Sequence, residues 1–395
     1  MEQAVRENPL NRSFRELLAW LYEESNLYDR ALQVNHAIDR LESEDGRVLF
    51  AFAARAASSG AYRAALSAYE MILDRYPESI IAPEAARGIG QIHLKWAKAT
   101  GEKALAGDTR ADTPHYDKAL EAFTRFAEMN PGHGLYPYVL LDMAQMKKDV
   151  YFELEEAKSF FQRIVERFPG HPAAHDARHA LGALAVSQGR LDEAHLIFER
   201  LIEELRIGEQ AERARLETAL IHFYRGEFES ALTIVGAMEE NTSTDVANDA
   251  IELKVLLFEN TGPDSLQTPL RDFARARLLV RQRRLDEADA ILSQIRERFG
   301  SHSLSDDADY LRAIILRDRG KYKEAAAALA EIPLLYPRSF LADRSLFEAA
   351  RINDEELGQP EEALELYNRI LTDYPGSLLL IQVRSRIRML RGDAL

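Results

Sequence analysis

Apolar residues recur along this chain as a three-point stripe. A small residue is followed by a large apolar one four positions on, and by another seven positions on. Ala157, Phe161 and Ile164 make one such set, and Ala194, Phe198 and Leu201 repeat it 37 residues later. Positions i, i+4 and i+7 lie on one side of a helix with 3.6 residues per turn, so each set predicts a helix with one buried face. The small member marks a crossing where two helices approach too closely for a larger side chain.

The small residue occurs at Ala31, Ala65, Ala119, Ala157, Ala194, Ala231, Ala288, Ala325 and Ala363, with spacings of 34, 54, 38, 37, 37, 57, 37 and 38. Four positions on stand Tyr69, Phe123, Phe161, Phe198, Val235, Leu292, Leu329 and Tyr367, with Asn35 as the exception. Seven positions on stand Ile38, Ile72, Phe126, Ile164, Leu201, Met238, Ile295, Ile332 and Ile370. Twelve positions on is Pro77, Pro131, Pro169, Pro337 or Pro375, with Gly300 once. Proline cannot continue a helix, so it ends this one. Five positions before the small residue is Gly60, Gly189, Gly226, Gly320 or Gly358, a turn from a preceding helix. Tyr28, Tyr62, Tyr116, Phe228 or Tyr322 opens the second helix.

The unit is therefore a helical hairpin, repeated with a period near 37 residues. One pair cannot bury its apolar face alone, whereas stacked pairs share a continuous core. The expectation is an all-α array of about nine helix pairs over residues 1–395, with irregular insertions at about 100–114 and 245–268. In the second insertion, Thr268 and Pro269 read as the N-cap and first residue of a helix. An added helix there must either be displaced or continue its predecessor's direction. After the last pair, SLLLIQVRSRIRMLRGDAL reads as a C-terminal capping helix, with Leu379, Val383, Ile387 and Leu390 on one side and Arg384, Arg388 and Arg391 on others. Pro9 stands in the proline slot of a preceding repeat, from which a longer parent chain is expected.

This small–aromatic–apolar–proline helix with a glycine turn before it resembles the tetratricopeptide repeat. The forms YPES, YPRS and YPGS, with the long period, resemble the bacterial variety found in outer-membrane barrel-assembly lipoproteins and in the periplasmic coordinator of the Tol–Pal system. The resemblance implies a right-handed α-solenoid that binds protein or peptide partners in a concave groove lined by the first helices. It places Glu16, Trp20, Arg47, Phe50, Asp176, His179, Arg213, Phe223, Tyr310 and Arg317 toward that groove. Aromatic and arginine side chains are common energetic anchors of interfaces. The Lys/Asn clamp of chaperone-binding members is absent as a pattern, which disfavours capture of a C-terminal carboxylate. The function so implied is a non-catalytic scaffold in a bacterial cell-envelope assembly, periplasmic or associated with the outer membrane. The alternatives are a scaffold in exopolysaccharide export and an interaction module of a larger regulatory protein.

Composition narrows the partners. Hydrophobic residues at 46% and charged residues at 29% fit a folded chain. A net charge of −15 argues against nucleic acid and anionic membranes, whose phosphates need a basic face. There is no cysteine, hence no disulfide, thiol nucleophile or Cys-based metal site. No apolar run approaches the ~20 residues needed to span a bilayer, so no direct membrane insertion is expected.

Candidate chemistry is sparse. No phosphate loop, zinc-protease helix, nucleophile elbow or EF-hand loop is present, so neither catalysis nor a cofactor is expected. Gly88 and Gly90 resemble part of a dinucleotide fingerprint, but no strand precedes them, and close helix packing is the better reading. His171, His175 and His179 are spaced to share a helix face, yet no third ligand completes a site, so no metal is assigned. The run Arg384, Arg386, Arg388 and Arg391 ends a helix, where cations favour the dipole.

Overall fold

The computed structural model describes residues 1–42, 44–100, 114–238, 245–261, 267–300 and 302–392, and every regular element among them is an α-helix. The chain forms two compact units, Met1–Leu181 and Gly182–Leu395. In chain order the first contains α1 (Glu2–Glu7), α2 (Arg12–Glu24), α3 (Tyr28–Glu42), α4 (Arg47–Ser58), α5 (Tyr62–Arg75), α6 (Ala82–Ala99), α7 (Pro114–Met129), α8 (Tyr136–Asp149) and α9 (Leu154–Arg167). The division falls within α10 (Pro172–Ser187). The second unit continues with α11 (Leu191–Leu205), α12 (Glu209–Arg225), α13 (Phe228–Met238), α14 (Asp245–Asn260), α15 (Gln267–Arg281) and α16 (Leu285–Phe299). It ends with α17 (Ser305–Asp318), α18 (Tyr322–Leu335), α19 (Ala342–Glu355), α20 (Pro360–Asp373) and α21 (Leu380–Arg391).

The stripe explains this packing. All nine small residues are fully buried, and every large residue four or seven positions beyond is buried, Asn35 included. Consecutive helices pack as first and second members of pairs, as α2 with α3, α4 with α5, α6 with α7, α8 with α9, α12 with α13, α17 with α18 and α19 with α20. Within the first unit Ala65, Tyr69 and Ile72 of α5 meet Phe52 and Ala56 of α4 in one cluster. Within the second, Ala363, Tyr367 and Ile370 of α20 do the same with Phe347 of α19 and Val383 and Ile387 of α21.

Close approach needs small partners on the first helix as well. A Cβ at Gly90 would lie 2.4 Å from the Phe123 ring, and one at Gly182 would lie 2.5 Å from Phe198. Both glycines stand mid-helix, where they cost about 1 kcal/mol relative to alanine. The seated aromatic ring offsets that cost. Gly88 likewise faces Tyr69, so neither it nor Gly90 belongs to a nucleotide loop.

The turns share two devices. The slot five positions before the small residue adopts positive φ, as at Gly189 (75°) and Gly320 (74°), and also at Asn26 (57°), Phe152 (55°) and Arg283 (60°). Fourteen positions after the small residue, a side chain accepts the backbone N–H two residues on. Ser79, Ser339 and Ser377 do so with Oγ, Asp45 with Oδ1, and His133, His171 and His302 with Nδ1. The histidines of the "PGH" turns thus replace the serine of "YP-x-S" as the acceptor that shapes the turn into the next helix.

The irregular segments are accommodated without breaking the pairing. Residues 101–113 lie outside the described part, and α6 and α7 on either side of them still pack as a pair. The extra helix is α14, which packs on α12 and α13, while α12 also contacts α15. Pairing then resumes with α15 and α16. Helix α15 starts at Gln267, ahead of the Thr268–Pro269 start expected from sequence.

Candidate functional site

The first unit carries a hollow of about 1140 Å³ between α2 and α4, floored by Tyr28, Asn35 and Ile38 of α3. Trp20 lines it with 53% of its surface exposed, a large apolar side chain left outside the core. Glu16 and Arg47 share the hollow. Its arginines are paired at the rim. Arg55 grips Glu23 through two parallel bonds of 2.9 Å, Arg12 reaches Glu16 at 2.7 Å and Glu42 at 2.9 Å, and Arg47 reaches Asp45 at 3.0 Å. The two-pronged Arg55–Glu23 pair ties α4 to α2 and sets the width of the hollow.

Asp39 supports this region from behind. Fully buried on α3, it accepts the Gly46 and Val48 N–H groups, each at 3.0 Å, and so caps α4.

The second unit carries a hollow of about 620 Å³ lined by α14, α19 and the approach to α21. Tyr310 and Arg317 lie on α17 beside it. Arg317 bonds Glu348 at 3.2 Å, Arg351 bonds the same carboxylate at 2.9 Å, and the Arg344 guanidinium sits 5.9 Å over the Tyr310 ring. Arg344 also pairs with Glu252 of α14. Burial and the nearby Glu348 push the Tyr310 hydroxyl well above its ordinary range, so it stays protonated at any physiological pH.

The remaining groove candidates fall elsewhere in the fold. Phe223 is fully buried against Phe228 and Tyr224 with the Arg277 guanidinium 5.6 Å over its ring, so no partner can reach it. Phe50 sets its ring 5.4 Å from Tyr69 and packs on the core, leaving the hollow to Trp20. Arg213 is exposed and bonds Glu209 one turn back at 2.6 Å. Asp176 and His179 are half-buried on α10.

His171 is engaged in its turn, accepting the Ala173 N–H, with its ring 4.7 Å from Tyr138. No group of three or more metal-ligating side chains converges among the described residues. A histidine pair that sequence reading missed lies between α6 and α7. His93 and His115 face each other Nδ1 to Nδ1 at 3.1 Å, and Trp96 stacks on His115 at 4.2 Å. The ring centroids are 5.4 Å apart, a head-on approach suited to one shared N–H···N bond. Burial, then the charges of His115 and Lys118, hold the His93 imidazole down at about 4.

No described helix is long and apolar enough to cross a membrane. Family models described as tetratricopeptide repeat match residues 273–340 and 344–377. Among solved structures, a tetratricopeptide repeat protein from Parabacteroides merdae ATCC 43184 is 15% identical with a TM-score of 0.42, covering 78% of this chain and 99% of that one. PilW, a type IV pilus biogenesis factor, is 15% identical with a TM-score of 0.32, covering 67% and 99%. YrrB, described as having an unusual peptide-binding site, is 14% identical with a TM-score of 0.27, covering 57% and 97%. No curated protein matches the chain. The matched models describe a repeat and no enzyme family. Together with the paired helices and their buried stripe, they support a tetratricopeptide-repeat protein.

Proposed function

We propose that this chain is a non-catalytic scaffold that binds a segment of another protein in the hollow of its first unit. The observation that carries this reading is Trp20, exposed in a hollow whose arginines are already held by carboxylates. Paired charges at a rim contribute little affinity of their own, while a tryptophan entering a partner's contact surface is a strong anchor. An extended peptide or a partner helix is the occupant, with Glu16 and Arg47 fixing its register. The setting is a bacterial cell-envelope assembly, in the periplasm or at the outer membrane, and the YP-x-S form of the repeat is what motivates it.

The test compares wild type with Trp20→Ala and Arg47→Glu. Trp20→Ala should weaken partner capture by about thirtyfold, the equivalent of about 2 kcal/mol, with the melting temperature unchanged. Equal recovery of partners by both proteins would remove the hollow from the account. Recovery of cytosolic partners alone, or fractionation with the cytosol, would remove the envelope setting.

A further inference from the structure

The turn after α18 exposes a large apolar side chain, and so does the turn after α20. Phe340 and Leu378 occupy the same repeat slot, one residue beyond the capping Ser339 and Ser377. Each serine fixes its turn by accepting an N–H, from Leu341 at 3.0 Å and from Leu379 at 3.1 Å. The next side chain is left in solvent, Phe340 at 56% exposure and Leu378 at 83%. Both line the hollow of the second unit, and Phe340 also borders a smaller one containing Glu259 and Asp306.

Charge around these anchors is unbalanced. The two hollows are lined by six carboxylates against three arginines. Arg344 pairs with Glu252 and Arg351 with Glu348, and the lining as a whole keeps an excess of three carboxylates over arginines. The excess is felt nearby. Burial and Asp306 raise the Glu259 carboxyl, and Asp307 beside them is pushed up to about 8 by burial and by Asp306, with Arg277 only partly offsetting. Burial is the larger cause in both, and the neighbouring Asp306 adds to it.

The complement lies next to this surface. Helix α21 contains no acidic residue. Arg384, Arg388 and Arg391 are exposed at i, i+4 and i+7 and carry no ion pair among the described residues. Ile381, 81% exposed, and Met389 stand with them. A basic, apolar-edged helix thus adjoins an acidic, apolar-edged hollow that it cannot enter, because its own first turn forms part of the wall.

We infer that the second unit pairs with a second copy of this chain, the α21 of each copy lying in the Phe340–Leu378 hollow of the other. A two-fold axis beside α21 makes the exchange reciprocal, so one set of contacts is used twice. Arg384 and Arg388 then meet Asp343 and its neighbouring carboxylates, while Ile381 packs on Phe340. This pairing uses no residue of the first unit's hollow and does not depend on what binds there.

The test is the molar mass by sedimentation equilibrium on the full chain, with folding of each variant checked by circular dichroism. Wild type at on the order of 10 μM should be a dimer of about 90 kDa, twice the 44.8 kDa chain, and should dissociate as salt rises. Arg388→Glu and Phe340→Ser should each weaken dimerisation by about tenfold or more, and Asp343→Arg combined with Arg388→Glu should recover most of it. Trp20→Ala should leave the mass unchanged. A monomer at all concentrations and salts would overturn the inference, as would a dimer indifferent to Arg388→Glu and Phe340→Ser. Binding of an unrelated basic peptide by a strictly monomeric chain would assign the surface to another partner and equally overturn it.

Discussion

The second helices of the pairs and the hollows on the first helices are built from the same amino acids under opposite constraints. Along the second helices every apolar residue of the stripe is sealed from water, and its size is set by the neighbour it meets. In the hollows Trp20, Phe340 and Leu378 keep more than half of their surface in solvent. Under the proposed function, fold and binding are separated onto different faces. A change on the second helices should register as stability, and a change in a hollow as affinity.

That contrast can be broken at graded cost. Asp39→Ala carries the largest expected effect, because it leaves the buried Gly46 N–H and the part-buried Val48 N–H without this acceptor. It should cost about 3 kcal/mol in chemical denaturation. A loss no greater than that of a hollow substitution would blur the distinction. Ala194→Leu comes next, at about 2 kcal/mol, since the added atoms have no room at the α10–α11 crossing.

His93 tests whether a buried polar group behaves as part of the core. Its folded-state value of about 4 lies below the ordinary 6.5, so the unfolded chain takes up the proton first as pH falls. Stability is full above pH 6.5, declines from there toward pH 4, and levels off below. The groups facing the imidazole are His115 and Lys118 on α7. Melting curves across this range should show a decline about 2 kcal/mol smaller in His93→Gln than in wild type. Parallel curves would place His93 outside the titrating core. The smallest effect is a gain. Arg283 holds φ at 60°, so Arg283→Gly should stabilise the chain by about 1 kcal/mol, less whatever its exposed bond to Asp318 contributes.

The stripe was legible because packing repeats. Ala31 through Ala363 could be found by period alone, and all proved buried. The turn slot was legible only where it held glycine. Phe152 and Arg283 take the same conformation against their own preference, held by the helices on either side, and no residue type announced it. His171 looked like half a chelate until its slot was aligned with Ser79 and Ser339, where an acceptor for a backbone N–H is what the turn requires. The groove was the least legible. Aromatic and arginine residues serve partners and inter-repeat packing equally well, as Phe50 on Tyr69 and Arg277 on Phe223 show. Spacing could not tell Phe223 from Trp20. The acidic surface around Phe340 was invisible for a different reason, since its carboxylates come from α14, α17 and α19 and meet only in three dimensions.

The most direct test places a photo-crosslinking amino acid at position 20 and, in a second protein, at position 70, where Glu70 is exposed on the second helix α5 of the same unit. After irradiation in cells, adducts are mapped by mass spectrometry. The account predicts that position 20 captures a discrete segment of a partner protein and that position 70 captures none. Equal adducts at both positions, or adducts at position 70 alone, would contradict the assignment of binding to the first helices.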